Sequence, residues 1–126
     1  MQMLIKRLLE RNALTIAVII TIFITIVSLI SIKGIHIIKV SNSDKLGHFI
    51  AYFFLSFSWL YALRNFPRKK FKEHLIVFLL ISYGIIIEVL QGALTSYRQA
   101  DIYDIFANSA GVIFALLLFG KMNRIL

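Results

Sequence analysis

Asp44, His48 and Tyr52 recur every four residues, and so share one stripe of a helix. Further along, Gly84, Glu88, Gln91 and Thr95 share a second stripe, and Asp101, Asp104, Asn108, Gly111 and Ala115 a third. A carboxylate, an imidazole and a second carboxylate (Glu88, His48, Asp104) are the parts of a general acid–base set. They equally suit a divalent cation, Mn²⁺ or Zn²⁺ with the imidazole and Mg²⁺ with carboxylate and amide oxygens. Arg98 and Lys45 could contact anionic groups, with Glu88, Asp104 and Asn108 accepting hydrogen bonds. No H-E-x-x-H motif or Rossmann-like glycine fingerprint accompanies them, so the catalytic residues and any metal stay open and the sequence requires no cofactor. With no cysteine, thiolate chemistry and Cys-ligated zinc are excluded.

Each residue also has a plainer role. Asp44 suits a helix N-terminus, where its charge complements the dipole, and Asp101 could simply begin a helix. His48 alone reads as an interfacial histidine, Tyr52 as a packing aromatic with one hydrogen bond, and Lys45 as a lysine snorkelling to water. Arg98 could balance the acids or hold lipid phosphate. Glu88 differs in that a functional role is favoured over a structural one. A carboxylate inside an apolar run needs a partner, a water cavity or a proton.

The elements that position these residues are long and apolar. The 126 residues are 60% hydrophobic and only 16% charged, against roughly 45–50% and about 25% in soluble domains. A soluble core this small could not hide that surface, so lipid must cover it. Eleven Phe and five Tyr suit helices in hydrocarbon with aromatic ends. Residues 12–32 carry no charge, enough to cross ~30 Å at ~1.5 Å per residue. That run is too long for a signal peptide and no A-x-A-like site follows it, so a permanent span is expected. Thr21, Thr25 and Ser28 within it are expected to bond their own backbone. Ser41-Asn42-Ser43-Asp44 supplies helix-start chemistry. Further helices are predicted at about 46–63, 75–94 and 102–120, broken by Arg64-Asn65-Phe66-Pro67-Arg68-Lys69-Lys70 and by the polar link 95–101. The expected fold is all-α, one domain over residues 1–126, an integral membrane bundle of four transmembrane helices.

The net charge of +8 could suggest nucleic acid, but the basic residues sit between apolar runs. The expected partner is therefore the lipid bilayer and not nucleic acid. Ten Lys/Arg fall on the side of the two termini and the 64–72 link, and four on the other. Both termini are thus expected in the cytoplasm of a multi-pass protein of the bacterial cytoplasmic membrane. Asp44, His48, Glu88, Gln91, Arg98, Asp101, Asp104 and Asn108 then gather in the outer half. Helical rise puts His48, Gln91 and Asp104 about 3–5 Å inside and Tyr52, Glu88 and Asn108 about 9 Å, two polar layers. The lower part of the third stripe, Gly111-x-x-x-Ala115, should let another helix approach closely.

At Asp44-Lys45-x-x-His48-x-x-x-Tyr52, Glu88-x-x-Gln91, Arg98 and Asp104-x-x-x-Asn108-x-x-Gly111 the sequence resembles the VanZ-like family of bacterial membrane proteins. The ordered set spans roughly residues 43–119. Ala115 stands where a second glycine is usual, Ser96-Tyr97-Arg98-Gln99-Ala100 lacks the Pro or Gly expected beside the arginine, and Asp101 matches less closely than Asp104. The resemblance implies a small helical protein of the cell envelope, its founding member being linked to resistance to the glycopeptide teicoplanin. Ligand-binding residues are then expected among Asp44, Lys45, His48, Tyr52, Glu88, Gln91, Arg98, Asp104 and Asn108. The ligand expected is a lipid-linked cell-wall precursor or lipoglycopeptide. The alternatives are an intramembrane hydrolase or transferase acting on an envelope lipid, and a structural protein serving a partner. Transport is disfavoured by four short spans without an evident repeat.

Overall fold

A computed structural model describes residues 2–29, 41–94 and 101–125, with the backbone alone for 41–44, 94 and 123–125. The described residues are helical throughout apart from short connections, with no strand. Four helices follow in order: α1 (Gln2–Leu29), α2 (Ser41–Ala62), α3 (Lys69–Leu94) and α4 (Ile102–Ile125).

Three helix limits lie well outside the charge-free runs. α1 begins ten residues before residue 12, α2 includes Ser41 to Lys45, and α3 starts six residues before residue 75. Charges mark where hydrocarbon ends, not where hydrogen bonding ends. Lys and Arg are good helix formers, so the helices run on past them. The real break lies at residues 63–68, where Pro67 precedes Arg68 in the left-handed conformation (φ 58°). The Arg68 carbonyl accepts the Lys72 N–H at 2.9 Å and opens α3.

α1, α3 and α4 are each long and apolar enough to cross a membrane. α2 is not marked by the same length and composition, because Lys45, His48 and its serines dilute its hydropathy. Like α3 it touches each of the other three helices, and its contact with α4 is the most extensive in the bundle; α1 and α4 do not meet among the described residues. The reason is steric. A Cβ added at Gly111 would run into the Phe49 carbonyl oxygen and stand 3.0 Å from the Phe53 nitrogen, so the α2 backbone lies directly on α4 there. Ala115 is fully buried one turn on, and Phe49 and Phe53 both pack on Phe114. This is the small-residue packing expected where lipid tails remove any hydrophobic drive for helix association.

α1 is bound more lightly. Only Ala13 and Ala17 are buried on it, a small-residue stripe continued by Thr21 and Thr25. Thr21 and Thr25 do donate to their own helix, to the Ala17 and Thr21 carbonyls at 2.8 Å each. They also reach across it. The Trp59 indole N–H donates to Thr21 Oγ1 at 2.9 Å, and the Tyr83 hydroxyl pairs with Thr25 Oγ1.

Candidate functional site

One end of the bundle is polar: α2 and α4 begin there and α3 finishes. Asp101 stands one residue before α4, and its carbonyl accepts the Asp104 and Ile105 N–H groups at 3.0 and 3.4 Å. Its carboxylate takes the Tyr103 N–H at 2.9 Å, which makes Asp101 a helix N-cap. The plainer role foreseen for it is therefore the one seen, although its second oxygen does more. Lys45 Nζ donates to Asp101 Oδ2 at 3.0 Å and to Asp104 Oδ1 at 3.2 Å, fastening α2 to the start of α4. The hydrogen bond from Lys45, then that from the Tyr103 N–H, holds the Asp101 carboxyl below the usual carboxylate range. Lys45 thus bridges two acids while its side chain stays 32% exposed.

Glu88 comes from the third helix. Its side chain is 1% exposed, and Oε1 accepts the backbone N–H of Asp101 at 2.8 Å. In a capping box that N–H is bonded by the residue three positions into the same helix. Here that position is Asp104, which turns to α2, and Glu88 of α3 takes over the bond. Asp104, 5% exposed, directs Oδ2 to His48 Nε2 at 3.5 Å. One ligating atom from each of His48, Glu88 and Asp104 lies within 4.8 Å of the others.

The two-layer expectation needs correcting on α3. Glu88 shares the layer of His48 and Asp104 instead of lying beneath it. Counting rise from each helix end assumed that the ends were level, but α3 runs six residues past Glu88 to Leu94 while α4 is only starting. Gln91, one turn beyond, consequently turns to α1 and donates to the Ser28 carbonyl at 2.9 Å.

Tyr52 and Asn108 form the layer below, one turn in from His48 and Asp104. Gly84 makes room for both: a Cβ there would lie 3.1 Å from Tyr52 Cε2 and 3.4 Å from Asn108 Cβ. Each is 2% exposed. Tyr52 Oη and Asn108 Oδ1 are buried with no hydrogen-bond partner, as is Ser56 Oγ on the next turn of α2. Sequence reasoning missed Ser56, although its four-residue spacing from Tyr52 extends the same stripe. The side chain of Asp44 and the whole of Arg98 lie outside the described residues.

Residues 2–123 match the family model described as VanZ/LLP1. The chain belongs to the VanZ/LLP1 family. No curated protein and no solved structure matches it. Family membership and the apolar helices agree on a multi-pass, VanZ-like membrane protein.

Proposed function

We propose that this VanZ/LLP1 protein crosses the bacterial cytoplasmic membrane four times with both termini inside. Its polar end then binds the headgroup of an envelope amphiphile at the outer leaflet. α2 is the fourth span: 22 residues reach about 33 Å, and Lys45 and His48 are turned to α4. The excess of Lys and Arg on the side of the termini supports the orientation.

The observation that carries the reading is the pair of buried, unpartnered groups, Tyr52 Oη and Asn108 Oδ1, beneath the cluster of acids. A network that existed only to hold helices together would pair them, since an unsatisfied buried polar atom costs ~1–3 kcal/mol. A ligand's polar groups would meet that need. The amphiphile class is a lipid-linked cell-wall precursor or a lipoglycopeptide, its tail lying along the apolar helix faces, and the physiological outcome is reduced susceptibility to teicoplanin.

The test is binding of a lipid-linked precursor to the protein in nanodiscs. Tyr52→Phe removes only an unpartnered hydroxyl, so thermal stability should hold or rise while affinity falls roughly tenfold, the worth of about one hydrogen bond. Unchanged affinity in Tyr52→Phe and Arg98→Ala together would favour the purely structural reading. Cysteines at Leu46 and Lys70 test the orientation, the first labelled from outside and the second protected. A second reading, a hydrolase or transferase, draws on the closeness of His48, Asp104 and Glu88. It requires turnover of such a lipid that Glu88→Gln abolishes.

A further inference from the structure

We propose that His48, Glu88 and Asp104 bind a divalent transition-metal ion, Zn²⁺ in preference to Mn²⁺, with Asn108 Oδ1 as the adjoining oxygen donor. Three helices each contribute one ligand, so the ion would tie α2, α3 and α4 together at the polar end.

Geometry supports the assignment first. His48 Nε2 and Asp104 Oδ2 stand 3.5 Å apart. Two ligands on one tetrahedral ion with bonds of about 2.0–2.2 Å lie ~3.4 Å apart. Glu88 offers an oxygen within 4.8 Å of both. The Lys45 ammonium holds Asp104 through the other oxygen, Oδ1, leaving Oδ2 to ligate and fixing the carboxylate's direction as an outer-shell partner should.

Charge points the same way. Among the described residues at this end, three carboxylates (Glu88, Asp101, Asp104) face one ammonium, Lys45. An acid-rich cluster that includes an imidazole suits a cation. An independent sign is the Asn108 carbonyl oxygen, 2% exposed and without a partner, one helical turn below Asp104. Such an orphaned acceptor, one turn in from an acidic ligand, suits a cation reached through one bound water. Donor chemistry selects the metal: an imidazole with carboxylates fits Zn²⁺ or Mn²⁺ better than Mg²⁺ or Ca²⁺, which favour oxygen alone. Three protein ligands leave coordination open to water or to an anionic oxygen, unlike a closed structural site. The site stands on these side chains and needs none of the headgroup reading.

The experiment uses the full chain, purified in detergent, stripped with chelator and reloaded with Zn²⁺ alone. About one Zn²⁺ per chain should survive gel filtration, and His48→Gln should weaken affinity by more than the roughly 10–100-fold that loss of an outer-shell partner costs, while His74→Gln, at an exposed histidine, changes nothing. Should His48→Gln fail to fold, Mn²⁺ bound to the unaltered protein provides the readout, because pulsed electron paramagnetic resonance detects an imidazole nitrogen on the ion. Stoichiometric binding that depends on His48, or that nitrogen signal, supports the site. Retention of almost no Zn²⁺ by the unaltered chain, equal retention in His48→Gln, or Mn²⁺ bound without a nitrogen signal overturns it.

Discussion

The two ends of this bundle use charge in opposite ways. At the α2–α3 turn the charged side chains bond mainly to carbonyls nearby in the chain. Arg64 donates to the Tyr61 carbonyl at 2.7 Å and stacks 4.0 Å from that ring, Lys72 donates to the Arg64 and Phe66 carbonyls, and His74 bonds the Lys70 carbonyl. One longer pair, Arg64 with Glu10 at 3.7 Å, adds α1. At the polar end, apart from the Asp101 bond to the Tyr103 N–H, the charged contacts described above join helices remote in sequence: Lys45 with Asp101 and Asp104, His48 with Asp104, Glu88 with the Asp101 N–H. A charge in water needs no particular partner and can serve a turn. A buried one is tolerable only where other helices supply its partner, so its position is specified by the whole bundle.

The contrast breaks first where the polar end is brought together. Gly111→Val drives a side chain into the Phe49 backbone and should cost about 3 kcal/mol or more, because backbone cannot yield as a side-chain tip can. The folded fraction in detergent measures it. Gly47→Ala is the counterpart, since nothing lies within 4 Å of the new methyl. It should stabilise by up to about 0.5–1 kcal/mol.

A smaller effect separates the charge of Glu88 from its hydrogen bond. Glu88→Ala leaves the partly buried Asp101 N–H without its acceptor and should destabilise by ~1 kcal/mol or more. Glu88→Gln keeps an acceptor oxygen and should recover most of that loss in thermal unfolding. Equal losses would mean that the charge, and not the capping bond, holds α3 to α4.

The smallest effect belongs to the basic end. Arg64→Ala removes a long, partly exposed pair with Glu10 of the kind worth about 0–1 kcal/mol. Its melting midpoint should shift far less than that of Glu88→Ala, and a comparable shift would erase the distinction between the ends.

What the sequence made legible follows the same line. The stripe Asp104, Asn108, Gly111, Ala115 is local periodicity, and every member is buried on α4. The close approach at Gly111 and the joining of His48, Glu88 and Asp104 could be read from spacing. The relative register of the helices could not, because the overhang of α3 beyond the start of α4 is fixed by packing across the bundle. Glu88 was therefore expected one layer too deep, and Gln91 was expected beside His48 instead of on α1. The α1 contacts of Trp59 and Tyr83 were missed for a related reason. Threonines that bond their own helix look self-sufficient in sequence, while their oxygens can still accept from a neighbour.

The convergence of α2, α3 and α4 is tested most directly by a cysteine pair, since the native chain has no cysteine. A Cβ at Gly84 lies 3.4 Å from Asn108 Cβ, at the short edge of the ~3.5–4.5 Å that disulfides span. Gly84→Cys combined with Asn108→Cys should oxidise to an intramolecular disulfide in the membrane, while Gly84→Cys combined with Ile113→Cys, on the exposed face of α4, should not. If the first pair stays reduced and both thiols react freely with maleimide, α3 and α4 do not meet beneath the cluster, and the shared site does not exist.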